Sequence, residues 1–324
     1  MNISNSLVSC FGKLPNFGDF VRYGAGGPEI RKFEEWLQEG LYLAQKEFDK
    51  DWDYAYRHSP LYHFLFYHRK TERFLLGIIQ LSRDRSERKY PFIVALKIDR
   101  NTFHDKFVPF VPLIFSDFFS QTHQFLKRAL QGLELRDLVA QLKNLSPSIM
   151  TNLESNHRSF VTYLENTTLE TFWNNILGQY GDPRKFLIVK NLTEILEPLR
   201  NQSLERMSLG LRFPLGMEIA MMNQVVCFWI HISLQLLGNP AIIPNFFWNL
   251  PEAGEKNYLF LFFTTPSSKT FLQLIQPELE NDSICQLDEE GKDKLLDSAQ
   301  NISFHYSSEL QTKELTLNDF LSRL

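Results

Sequence analysis

The sequence predicts an α/β fold, a layered sandwich in which a mixed sheet is flanked by helices, built as two consecutive α/β units. Strand-like and helix-like periodicities alternate along the whole chain, and no repeat of solenoid or propeller length interrupts them. Of 324 residues 44% are hydrophobic and 29 are Phe, enough bulky apolar surface for a large core without disulfide or metal support. The charges, 34 Lys+Arg against 38 Asp+Glu, exclude a disordered or coiled-coil chain and give no electrostatic reason to expect nucleic acid.

Ser6 to Leu14 reads as a strand entering a turn at Pro15, Asn16 and Gly18. Pro28 opens a helix, since its missing N–H would have had no partner there. Phe33, Trp36, Leu37, Gly40, Leu41, Ala44 and Phe48 then form one apolar stripe, opposite Lys32, Glu35, Gln38, Glu39 and Lys46. Strands are expected at Leu61–Tyr67, Phe74–Leu81 and Pro91–Ile98, the last pair joined by the charged tip Ser82–Lys89. Helices at Ser116–Leu130 and Leu135–Leu145 close the first half. Polar residues from Ser146 onward place the boundary between units 1–146 and 147–324.

In the second half we expect helices at Leu169–Leu177 and Thr193–Leu199, with strands at Phe186–Val189 and Met207–Phe213. Met217–Leu237 is long enough to span a membrane, but Glu218, Asn223, Gln224, His231, Ser233 and Gln235 would be costly in lipid, so a buried helix is expected. Strands at Ala241–Trp248 and Tyr258–Thr264 follow, then a helix from Ser267 or Ser268 to Ile275. Thr316-Leu317-Asn318-Asp319 resembles a capping box for a final helix. Cys10, Cys227 and Cys285 are dispersed and odd in number, which fits reduced core thiols. The first residues carry no basic cluster or apolar run of signal-peptide type, so a cytoplasmic location is expected.

The search for chemistry returns no GxxxxGK[ST] loop, HExxH, GxSxG elbow or EF-hand spacing. Gly24-Ala25-Gly26-Gly27 lacks the third glycine of a dinucleotide turn. His58, His63 and His68 recur every five residues, which on a strand alternates their faces and leaves them half-exposed instead of converging on a metal. Asp51 and Asp53 read as an acidic helix end, and Asp288, Glu289, Glu290, Gly291 and Asp293 as a loop. No cofactor is expected. Ser59, His58 and Asp53 form the only alternative, a hydrolase trio, weakened because sequence neighbours on a strand point apart. Arg83, Arg85, Arg88 and Lys89, beside Asp84 and Glu87, concentrate positive charge on a tip that could recognise an acidic or phosphorylated surface.

Phe11-Gly12-Lys13-Leu14-Pro15-Asn16-Phe17-Gly18-Asp19-Phe20-Val21-Arg22 resembles the N-terminal signature of the TagF (ImpM) family of bacterial type VI secretion. The run from Phe33 to Leu41, centred on Trp36, resembles that family's aromatic, acidic helix, and Ser59-Pro60 with Phe64 its strand entry. Ser82, Asp84, Arg85, Arg88, Tyr90 and Pro91 are similar to its charged hairpin, with Glu87 where the family tends to have glycine. Weaker similarity continues through Leu211-Arg212-Phe213-Pro214-Leu215 and Pro244 to Trp248. The resemblance implies a cytosolic protein, not an enzyme, that restrains type VI secretion after translation by contact with the forkhead-associated scaffold protein. It directs attention to Gly12, Lys13, Leu14, Pro15, Gly18, Asp19, Phe20, Trp36, Ser82, Asp84, Arg85 and Arg88 as binding residues, with Gly12, Pro15 and Gly18 setting a turn and Leu14, Phe20 and Trp36 filling the core. Asp19 and Arg88, opposite charges in the two loops, are expected to pair.

Overall fold

The computed structural model describes residues 8–102, 104–145, 153–204, 207–239, 242–250, 256–289 and 306–324. The expected unit boundary at 146/147, and Glu290, Gly291 and Asp293 of the acidic loop, lie outside them. Strands β1 (Val8–Gly12), β2 (Val21–Tyr23), β3 (Tyr62–His68), β4 (Arg73–Gln80), β5 (Phe92–Asp99), β6 (Gly210–Pro214), β7 (Asn245–Asn249), β8 (Tyr258–Phe262) and β9 (Ile284–Gln286) form one sheet. Its order is β2-β1-β5-β4-β3-β7-β8-β6-β9. Every neighbouring pair is antiparallel except β6 and β9, so the sheet is mixed. The junction of early and late strands is β3 against β7, with Phe64 opposite Phe247.

Strand alternation divides the core between the two faces. Phe11, Phe64, Phe66, Phe247, Phe260 and Phe262 point to one face, covered by α1 (Pro28–Phe48), α2 (Trp52–Arg57) and α10 (Phe271–Ile275). Cys10, Leu65, Val94, Leu211, Phe246 and Leu261 point to the other. That face carries α3 (Val111–Ile114), α4 (Ser116–Gly132), α5 (Leu135–Asn144), α6 (Leu153–Asn166), α7 (Leu169–Leu177), α8 (Arg184–Leu196), α9 (Met222–Leu237) and the C-terminal helix Leu317–Ser322.

Pro28 occupies the first turn of α1, and Phe33, Trp36, Leu37, Gly40 and Ala44 of its stripe are buried. Gly40 is required by close packing: a Cβ there would lie 2.5 Å from the Cβ of Phe271 on α10. Thr316 caps the last helix, its hydroxyl accepting the Asp319 N–H at 3.1 Å. By length and composition α9 and its preceding turn could cross a membrane, yet Val225, Val226, Cys227, Phe228 and Trp229 are packed in the core.

Two expectations are corrected. Phe186–Val189 is not a strand but the middle of α8. Its Phe-Leu-Ile-Val run favours extended backbone locally, but Asp182 Oδ1 accepts the Arg184 N–H at 2.9 Å, and Leu187, Ile188, Leu192 and Leu196 bury a helical face. Of the five-residue histidine row only His68, half-buried at the end of β3, is the half-exposed strand residue expected. His58 follows α2, exposed, while His63 is buried, stacked on Phe119 at 4.3 Å and edge-on to Trp248.

Candidate functional site

The turn after β1 and the β4–β5 hairpin meet at one carboxylate, Asp84. Its side chain is inaccessible to solvent although its hairpin is exposed. Oδ1 accepts the backbone N–H groups of Ser86 at 2.9 Å and Arg88 at 3.0 Å. Oδ2 accepts the Arg88 Nε–H at 2.7 Å and faces the Lys13 ammonium at 3.1 Å. Burial alone would raise the Asp84 pKa, but the Arg88 backbone N–H, the Lys13 and Arg88 cations and the Ser86 N–H together lower it to about 2.

The same guanidinium reaches across the gap. Arg88 donates to the Gly18 carbonyl at 2.7 Å, and the Arg85 N–H donates to the Phe17 carbonyl at 2.9 Å. Below, the Tyr56 hydroxyl donates to the Ser82 carbonyl at 2.6 Å and accepts the Ser82 N–H at 3.2 Å, tying α2 to the hairpin base. Asp53 of α2 pairs with Lys89. Gly12 ends β1 at φ +128, and a Cβ there would lie 2.0 Å from the Pro91 carbonyl oxygen, so glycine is required for the two strands to close.

The expected Asp19–Arg88 pair is not formed. Asp19 is exposed and its carboxylate accepts the adjacent Phe20 N–H at 2.8 Å, while Asp84, four residues before Arg88 in the same turn, takes the guanidinium. Asp19→Ala should therefore leave the thermal midpoint unchanged, whereas Asp84→Asn should lower it by several degrees; differential scanning calorimetry of both variants checks the contrast.

Leu14 and Trp36 lie inside the core, out of reach of a partner, with Trp36 Nε1 donating to the Ser267 carbonyl at 2.9 Å. Phe20 is partly buried, edge-on to Tyr90 at 5.1 Å, and Pro15 is partly exposed in its turn. Arg83 is held by Glu87. Arg85 is exposed, and among the described residues no acidic side chain pairs with it.

Glu87 adopts φ +63, a left-handed conformation at the end of the Asp84–Glu87 turn, whose 4→1 hydrogen bond measures 2.9 Å. The backbone thus keeps the geometry that glycine suits while the sequence supplies glutamate. Glu87→Gly should stabilise the chain by about 0.5–1 kcal/mol, the relief of left-handed strain exceeding the lost exposed pair with Arg83. Urea denaturation of the two proteins measures it.

The hydrolase trio is not assembled. Ser59 is buried and donates to the Leu274 carbonyl at 3.1 Å, the His58 ring bonds the Tyr54 carbonyl at 2.8 Å, and Asp53 engages Lys89. No group of three or more His, Cys, Asp or Glu able to hold a metal ion occurs among the described residues.

Residues 9–145, which contain every element of the Asp84 node, match the family described as the TagF N-terminal domain, type VI secretion system-associated. Over that stretch the chain is a TagF N-terminal domain. The crystal structure of PA0076 from Pseudomonas aeruginosa PAO1 has a similar fold, with a TM-score of 0.50 at 18% identity over 85% of this chain and 96% of that one. The likeness in fold thus extends well beyond the TagF N-terminal domain, into the strands and helices after residue 145. No curated protein matches the sequence.

Sequence reasoning missed Asp84 as the centre of the site, although the signal was present. An aspartate three residues before a left-handed turn position is well placed to accept the N–H groups of its own turn. It also missed Arg212, whose guanidinium is wholly buried in β6 among Asp288, Glu289, the Pro277 carbonyl and the Tyr258 ring.

Proposed function

We propose that this chain is a cytoplasmic, post-translational negative regulator of a type VI secretion system. It acts by binding the forkhead-associated scaffold protein of the apparatus, so that the occupied scaffold cannot recruit its other components. The reading requires no bond to be made or broken.

The observation that supports it best is the Asp84 node within a type VI secretion-associated domain. Asp84 holds both Lys13 and Arg88, a trio that keeps one net positive charge, and Arg88 fastens the Phe17–Gly18 turn to the hairpin. Arg85 is exposed with its guanidinium lying over Gly18 of the fastened turn, so little conformational freedom is lost when a partner engages it. A guanidinium in that position suits a carboxylate or phosphate on the scaffold.

The test is a pull-down from cell extract with the purified chain, compared with Arg85→Glu. Unaltered protein should recover the forkhead-associated scaffold. The variant should recover at least about tenfold less at an unchanged thermal midpoint, as expected for a charge reversed at a contact. Folded, unaltered protein that fails to recover the scaffold would contradict the proposal.

A further inference from the structure

The side of α2 turned away from the hairpin borders a cleft of about 810 Å³, walled by α2 and by the 275–278 turn after α10. Asp53 and Tyr56 face the hairpin, whereas Tyr54 and His58 face the cleft. Tyr54 is 69% exposed, and its ring stacks on His58 at a centroid distance of 4.0 Å. No intramolecular packing accounts for so much aromatic surface left in water. Pro277, half-buried, adds a rigid apolar face, with Pro60 buried in the cleft wall. Lys256 and Tyr258 also line a second cleft of about 220 Å³, where Met217 stands 77% exposed.

We propose that this pair of clefts is a docking groove for an extended, proline-containing segment of a partner protein that carries an arginine. Two clefts sharing one wall form a track suited to an elongated chain more than to a compact small molecule. The exposed Tyr54 ring and the half-buried Pro277 offer a surface that can grip the ridges of a polyproline II helix, which arrives already extended and so loses little entropy on binding.

Charge selects the arginine. Asp51 and Glu278 line the larger cleft, and Lys256 is its only lysine or arginine among the described residues. The Lys256 ammonium is 2.7 Å from Glu278, which leaves Asp51 as the larger cleft's one carboxylate without an ion pair among the described residues, while Arg184 of the second cleft is held by Asp182 at 2.8 Å. A guanidinium fits that acidic edge, and an acidic peptide would be repelled.

This groove is separate from the Arg85 surface, so the proposal stands or falls independently of scaffold binding. The experiment is fluorescence anisotropy of the full chain with a panel of labelled peptides containing Pro-x-x-Pro and an arginine at either end. Matched peptides carry glutamate in place of the arginine. We expect saturable binding of at least one arginine peptide, at least tenfold weaker binding of its glutamate counterpart, and at least tenfold loss in Tyr54→Ala and Asp51→Lys. Both side chains are exposed, so thermal midpoints should not move. Failure of the whole panel, equal binding of the glutamate peptides, or binding indifferent to both substitutions would overturn the proposal. So would concentration-dependent self-association in sedimentation that Tyr54→Ala abolishes, because a second copy would then own the groove.

Discussion

Arg212→Met should destabilise the protein by about 3–5 kcal/mol, the typical result of removing one member of a buried ion pair. The guanidinium has no solvent exposure, and the Asp288 side chain 3.0 Å away is 9% exposed. Arg212 also donates to the Pro277 carbonyl at 2.9 Å and lies over the Tyr258 ring at 4.4 Å. Truncation would therefore strand a carboxylate out of water and free the 277 and 288 segments from β6. Burial opposes the charge, but Asp288 and Glu289, with Tyr258, outweigh it and raise the Arg212 pKa, so the side chain is charged in the fold. The double variant Arg212→Met with Asp288→Leu should recover most of the loss, since an apolar pair removes both desolvation penalties. Urea denaturation of the single and double variants gives the comparison, and equal losses in both would refute the ion-pair account.

Acid should weaken the fold through His63. Burial and the nearby His123 push its pKa from 6.5 down to about 3. Its ring nitrogens have no hydrogen-bond partner among the described residues, so the native imidazole is neutral. Below pH 6.5 the unfolded chain binds a proton that the folded chain refuses. Stability supplied by the neutral ring is complete above that pH and declines by about 1.4 kcal/mol per unit as the pH drops toward 3. His63→Phe keeps a ring between Phe119 and Trp248 and should remove this slope. Unfolding free energies at pH 7, 6, 5 and 4 should then converge for the two proteins as the pH falls, or the variant should overtake. Parallel curves would show that another group carries the acid sensitivity.

The first half of the fold was legible because its signals are local. Pro28 marks the start of α1, the Phe33 to Ala44 stripe marks its buried face, and the three strands β3 to β5 are short apolar runs bounded by charged or turn residues. The sandwich itself followed from that alternation. Phe186–Val189 failed because a β-type tetrapeptide outweighed the longer pattern, in which burial every three to four residues continues to Leu196. The site was legible as a pair of loops and illegible as a geometry. Two opposite charges in neighbouring loops, Asp19 and Arg88, do not reveal that a nearer carboxylate in the same turn satisfies the arginine first. Arg212 was visible as one charge in an apolar strand. Its partners Asp288 and Glu289 lie more than seventy residues away in sequence, and only the pairing of β6 with β9 brings them together.

Scaffold recognition through the Asp84-mounted loops is most directly tested by amide hydrogen exchange on the full chain, with and without the purified forkhead-associated protein. The account predicts slowed exchange in the Asn16–Phe20 turn and the Arg83–Arg88 hairpin when the scaffold is added, with the Arg85→Glu protein showing no change there. Slowed exchange confined to other surfaces, or none at saturating scaffold, would contradict it.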